Sequence, residues 1–132
     1  MNKVTLYIID DDEDVVNALT AIFKPQKRYR IRAHTEVMAL LEDVETVPPQ
    51  VILCDQVMPE CEGIPLLQLL KEQFPELRGI LLTAQPLDEE VMREMMVGTM
   101  DLYMAKPWNQ VELEQNVARL AREVSKEAAV SE

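Results

Sequence analysis

The chain predicts an α/β fold: a doubly wound, five-stranded parallel sheet with five helices. Two observations carry this reading. Short apolar runs alternate with helical patterns along the whole length, giving five βα units. Four of those runs, LYIIDDD (6–12), VILCD (51–55), GILLTA (79–84) and DLYMAKP (101–107), end at once in a polar residue. Their unbroken apolar character is that of strands covered on both faces.

The elements follow in order. Strand one is predicted at about Val4–Ile9, then a helix with Val15, Val16, Leu19, Ile22 and Phe23 at helical spacing, ended near Pro25. Strand two is Tyr29–Ala33. Thr35 is the expected cap of a helix carrying Val37, Met38, Leu40, Leu41 and Val44, which Pro48 and Pro49 stop. Strand three is Val51–Cys54, followed by a loop from Asp55 to Gly63. Pro65 suits the first turn of a third helix through Phe74. Strand four is Gly79–Leu82. Asp88 caps helix four and Gly98 closes it. Strand five is Asp101–Met104, and Asn109, with Glu112 three residues on, opens helix five through about Val124. Residues 1–124 are thus expected as one domain, with 125–132 a frayed tail or the start of a linker.

At 132 residues the chain is long enough to bury a real core. Its formal net charge of −11 argues against nonspecific binding to nucleic acid or anionic membrane. There is no apolar stretch of membrane-spanning length and no signal-peptide layout, so a cytoplasmic location is expected. Cys54 and Cys61 are too few for a disulfide scaffold, and Cys54 reads as a small buried side chain.

In a sheet of this kind the carboxyl ends of the strands share one edge, where ligands bind. Asp10, Asp11, Asp55, Thr83 and Lys106 should therefore converge. Adjacent carboxylates repel one another, and a hard cation with oxygen ligands relieves that repulsion. The lysine offers a point charge to a phosphate oxygen and the threonine a hydroxyl, the parts that phosphoryl transfer needs. The nucleophile is then a carboxylate. Asp55 stands alone and suits that role, leaving the paired acids for a metal.

The ordered set IIDDDED, CDQVMPECEG, LLTA and YMAKPW resembles a receiver domain of the two-component response regulator family, of the chemotaxis-regulator type, over nearly the full length. The resemblance implies the flavodoxin-like strand order 2-1-3-4-5. It implies Asp55 as phosphoacceptor and Mg2+ held by Asp10, Asp11, Asp55 and the carbonyl of Val57. Thr83, Ala84 and Lys106 would bind the phosphoryl group, with Tyr103 as the switch residue. The implied donor is a sensor histidine kinase or phosphotransfer protein. The response would be a changed surface of helix four, strand five and helix five, read by an output domain or protein not identifiable from the chain, or by a phosphorylation-dependent homodimer. The implied protein is a regulator, not an enzyme, that assists its own phosphoryl transfer and dephosphorylation. Asp12 makes a third consecutive acid, which leaves a one-residue offset of the pair open. Val57 cannot orient a water with its side chain, and Gln85 lies two residues after Thr83.

Other readings compete. A haloacid dehalogenase-like phosphatase would use Asp10 as nucleophile and Asp12 as acid/base, but no acidic strand-end motif follows Lys106. A receiver-fold adaptor that is never phosphorylated is the third. The run Asp10-x-Asp12-x-Asp14 imitates an EF-hand but has Val15 and Ala21 where glycine and glutamate are required. His34, the only histidine, reads as a surface or capped residue, and Trp108 as lying near the site edge. Met92, Met95, Met96 and Met100 surround helix four; the expected buried stripe is Val91–Met95, with Met92 and Met96 outward.

Overall fold

The computed structural model describes residues 3–131, with side chains described through Ser125. Five parallel strands lie in the order β2-β1-β3-β4-β5. They are β1 (Val4–Ile9), β2 (Tyr29–His34), β3 (Val51–Cys54), β4 (Arg78–Thr83) and β5 (Leu102–Ala105). Between and after them run α1 (Glu13–Phe23), α2 (Val37–Thr46), α3 (Gly63–Gln73), α4 (Glu89–Met96) and α5 (Gln110–Ser131). The order and all ten elements agree with the sequence reading.

The central strands are largely apolar because successive side chains enter two different cores. Leu6, Ile8, Leu53, Ile80 and Leu82 pack with Val16, Leu19 and Phe23 of α1 and with Leu113, Val117 and Leu120 of α5. Tyr7, Ile9, Ile52, Cys54 and Leu81 face the other way, onto α2, α3 and Val91 of α4. Fully burying one such leucine contributes roughly 1.5–3 kcal/mol. The edge strands are more open: only Tyr29 is buried in β2 and only Met104 in β5.

Helix starts show where local reading succeeds and fails. Asp12 accepts from the Asp14 N–H, Asp88 from Val91 and Asn109 from Glu112, each satisfying a donor that the first turn leaves free. Gly98, at φ 87°, closes α4, with the Gly98 and Thr99 amides donating back to Met95 and Glu94. Thr35 does not cap α2. The residue before that helix is Glu36, which makes no side-chain cap, and the Val37 N–H donates instead to Glu60 Oε2 at 2.9 Å. Likewise Glu62 precedes α3 without capping it, and the Ile64 N–H donates to Gln56 Oε1 at 2.9 Å.

Three further findings concern boundaries and surroundings. Helix α5 runs on to Ser131 rather than ending near Val124, because Ser-Lys-Glu-Ala-Ala contains no breaker. Trp108 is half-buried against the core beneath α5. His34 is also half-buried: its Nε2 lies 2.7 Å from Asp43 Oδ2, and its ring stacks on Tyr7 at 6.0 Å between centroids. Arg32 grips the same carboxylate at 2.6 Å, and its hydrogen bond is the main reason the Asp43 carboxyl stays below its usual range.

The methionines divide as expected. Val91 is buried and Met95 packs against the core, whereas Met92 and Met96 are exposed, Met96 at 87%. Met100 belongs to the core.

Candidate functional site

Backbone pairing brings the strand ends together. Ile9 sits opposite Cys54, and the Asp55 N–H donates to the Ile9 carbonyl, so Asp10 and Asp55 emerge side by side. Cys54 pairs with Leu81 and Thr83 with Ala105, and the Lys106 N–H donates to the Thr83 carbonyl. Each residue thus reaches the edge because the strand before it is fixed in register by its buried face.

The result is a small acidic cleft. Carboxylate oxygens of Asp10, Asp11 and Asp55 all lie within 4.8 Å of one another. Asp10 and Asp55 are buried, while Asp11 is exposed at the rim. The Lys106 ammonium lies 2.5 Å from Asp10 Oδ2 and 3.5 Å from Asp55 Oδ2. Burial works against that charge, but the hydrogen bond and charge of Asp10, followed by Asp55, outweigh it and hold the Lys106 pKa above its ordinary value. Burial, reinforced by the nearby Asp55 charge, pushes the Cys54 thiol up, which leaves it inert beside the cleft.

Asp12 stands outside this cluster. Its carboxylate is committed to the start of α1, and its N–H donates to Asp10 Oδ1 at 2.9 Å. The acids whose carboxylates meet Asp55 in the cleft are therefore Asp10 and Asp11. Thr83 is buried at the end of β4, its hydroxyl accepting from the Gln85 N–H at 3.2 Å. Ala84 follows it, exposed. Tyr103, half-buried on β5, donates its hydroxyl to the Gln85 carbonyl at 2.5 Å. Val57 lies in the loop after Asp55 and is 53% exposed.

Sequence reasoning passed over Gln56 and Glu60. Both lie in that same loop, and both cap helices that begin elsewhere. A helix start lacking a local cap, as at Val37 and Ile64, is the one signal that could have pointed to them.

Three carboxylates against one ammonium leave an excess of negative charge in a partly buried cleft, which suits a hard divalent cation with oxygen ligands. A carboxylate and a lysine on facing strand ends, with a hydroxyl on the strand between, offer a nucleophile, a positive charge and a donor of the kind that phosphoryl transfer uses. The sequence profile of the response regulator receiver domain matches residues 6–118, and the chain belongs to that family. Receiver domains of two-component response regulators are phosphorylated on an aspartate. The phosphatase and unphosphorylated-adaptor readings find no support.

Among its relatives, the DNA-binding transcriptional regulator NtrC of Proteus hauseri is 26% identical over 95% of this chain. The transcriptional regulatory protein CreB of Escherichia coli K12 is 24% identical over 96%. The chain spans only 25% of the first and 54% of the second. The BeF3-activated receiver domain of DrrB, from Thermotoga maritima, superposes with a TM-score of 0.81 at 25% identity, covering 91% of this chain and 98% of that one. The family is regulatory rather than catalytic, and its members interact with histidine kinases or phosphotransfer proteins. Among the described residues no helix is long and apolar enough to cross a membrane.

Proposed function

We propose that Asp55 accepts the phosphoryl group and that Asp10, Asp11, Asp55 and the Val57 carbonyl hold a magnesium ion beside it. Thr83, Ala84 and Lys106 bind the transferred group, and Tyr103 relays its arrival. The observation that carries this reading is the Lys106 ammonium, set between Asp10 and Asp55 in one buried cleft. It also separates the two acids by role. Asp10 is tied at both oxygens, to Lys106 and to the Asp12 N–H. Asp55 has one oxygen held by the Gln56 N–H at 2.8 Å and the other only 3.5 Å from the ammonium, which leaves it the freer nucleophile.

The donor is a phosphohistidine of a sensor kinase or phosphotransfer protein. An Asp55 oxygen attacks phosphorus; the new P–O bond forms as the P–N bond breaks, and the electron pair stays on the imidazole. Magnesium, when bound, neutralises the acids and the phosphoryl oxygens. Lys106 then exchanges its Asp55 contact for a phosphoryl oxygen. The Thr83 hydroxyl leaves the Gln85 amide for another, and Tyr103 follows the loop to which it is bonded. The surface of α4, β5 and α5 changes and alters affinity for the output partner or a second copy. In the return reaction water attacks phosphorus, releasing phosphate and the Asp55 carboxylate, without help from the apolar Val57 side chain. A cytoplasmic regulator, alone or joined to an output module as in its longer relatives, fits this scheme.

Intact mass after incubation with acetyl phosphate and magnesium tests it. The native protein gains one phosphoryl mass and Asp55→Asn gains none, whereas normal labelling of the variant would refute the acceptor. Titration calorimetry is expected to find magnesium binding weakened in Asp11→Ala; unchanged affinity would remove Asp11 from the ligand set.

A further inference from the structure

We infer that Gln56 is a positioning residue for the metal-and-phosphoryl cleft, an assignment that rests on the reading of Asp55 and Val57 given above. Gln56 separates those two residues and is 8% exposed. Every polar group it carries is engaged. Its N–H donates to Asp55 Oδ1 at 2.8 Å. Its carbonyl accepts from the Gly63 N–H at 2.9 Å. Its side-chain oxygen accepts from the Ile64 N–H at 2.9 Å, and its side-chain nitrogen donates to Glu62 Oε2 at 3.2 Å.

These bonds bind the residue after the acceptor to the first turn of α3, so the loop leaves Asp55 and returns to a fixed point. The approach is close: a Cβ at Gly63 would lie 2.2 Å from the Asp55 carbonyl oxygen. Only glycine lets the helix start against the acceptor's backbone. The loop that presents the Val57 carbonyl is therefore closed by a carboxamide on one side and a glycine on the other. The amide is suited to this because it offers an acceptor to a helix N–H and a donor to a carboxylate at once. An apolar side chain of the same size offers neither.

A residue that merely caps α3 would affect stability alone. A residue that sets the loop affects how well the cleft holds its ion. Outer groups that orient metal ligands typically change affinity by about 10–100-fold when removed. The experiment compares the native protein, Gln56→Met and the double variant Gln56→Glu/Glu62→Gln. In the double variant the net charge is unchanged, and the amide at 62 can donate to the carboxylate at 56, which still accepts from Ile64. Magnesium affinity is measured by calorimetry, and the acetyl phosphate labelling rate by intact mass across magnesium concentrations. Gln56→Met is expected to bind magnesium about tenfold more weakly and to label slowly at low magnesium, approaching the native rate at saturation. The double variant is expected to recover most of the native affinity. Native affinity in Gln56→Met would overturn the inference and leave the proposed function standing. If Gln56→Met does not fold, a double variant that folds yet binds as poorly as one lacking a ligand overturns it equally. A native protein that neither binds magnesium nor labels would overturn the underlying reading instead.

Discussion

Tyr7 has no exposed surface, and its hydroxyl donates to the Val47 carbonyl at 2.6 Å. Burial first, and the negative charge of Asp43 next, push its pKa up to about 12. The folded protein therefore keeps this proton at pH values where the unfolded chain, titrating near 10, has lost it. The tyrosine's contribution to stability is complete below about pH 10 and is lost as the pH rises toward about 12. Tyr7→Phe is expected to lose about 1 kcal/mol at pH 7, with the gap to the native protein narrowing between about pH 10 and 12. Urea melts across that range check it, and a constant gap would contradict it. At this scale the sequence revealed the residues whose meaning depends on position along a strand. Asp10, Asp11, Asp55, Thr83 and Lys106 each end an apolar run, and parallel pairing carries them to one edge. Gln56 was not legible, because its role comes from where α3 returns and not from its neighbours in sequence.

The same division holds for elements. Helices α1, α4 and α5 carry their own caps; Asp88 and Asn109 are marked as such in the sequence, whereas Asp12 reads there only as a third acid. Helices α2 and α3 are capped from the loop after Asp55, and Glu60 reaches α2 across 23 positions of sequence. A local search therefore settled on Thr35. Glu60→Ala is expected to cost about 1 kcal/mol and to speed hydrogen exchange at the Val37 amide while leaving the α1 amides unchanged. Equal protection at Val37 would mean that the cap contributes nothing. Around α4, helical spacing was enough to sort the methionines, since residues four apart share a face. Met100, fully enclosed after the helix, is expected to cost about 2–5 kcal/mol as Met100→Ala, and exposed Met96 about 0.5 kcal/mol or less as Met96→Ala. Comparable losses in denaturant melts would deny the separation into a buried and an open side.

For the whole molecule, the apolar strands and their order settle one sheet with a core on each face, and that arrangement alone produces the cleft. Strand order lies beyond periodicity, because the same five βα units could wind in other sequences; it came from the ordered motifs and is the order found. The charge of −11 likewise limits partners without naming one. The chain covers a quarter to about half of the relatives NtrC and CreB. The central claim is narrower: the acid facing Lys106 at the end of β3 carries the phosphoryl group. Reduction of the acetyl phosphate-treated protein with borohydride converts an aspartyl phosphate to homoserine, and peptide fragmentation then reads its position. Homoserine at position 55 alone, dependent on magnesium, is the result this account predicts. Homoserine at position 10 or 11, or none at 55 in labelled protein, would contradict it.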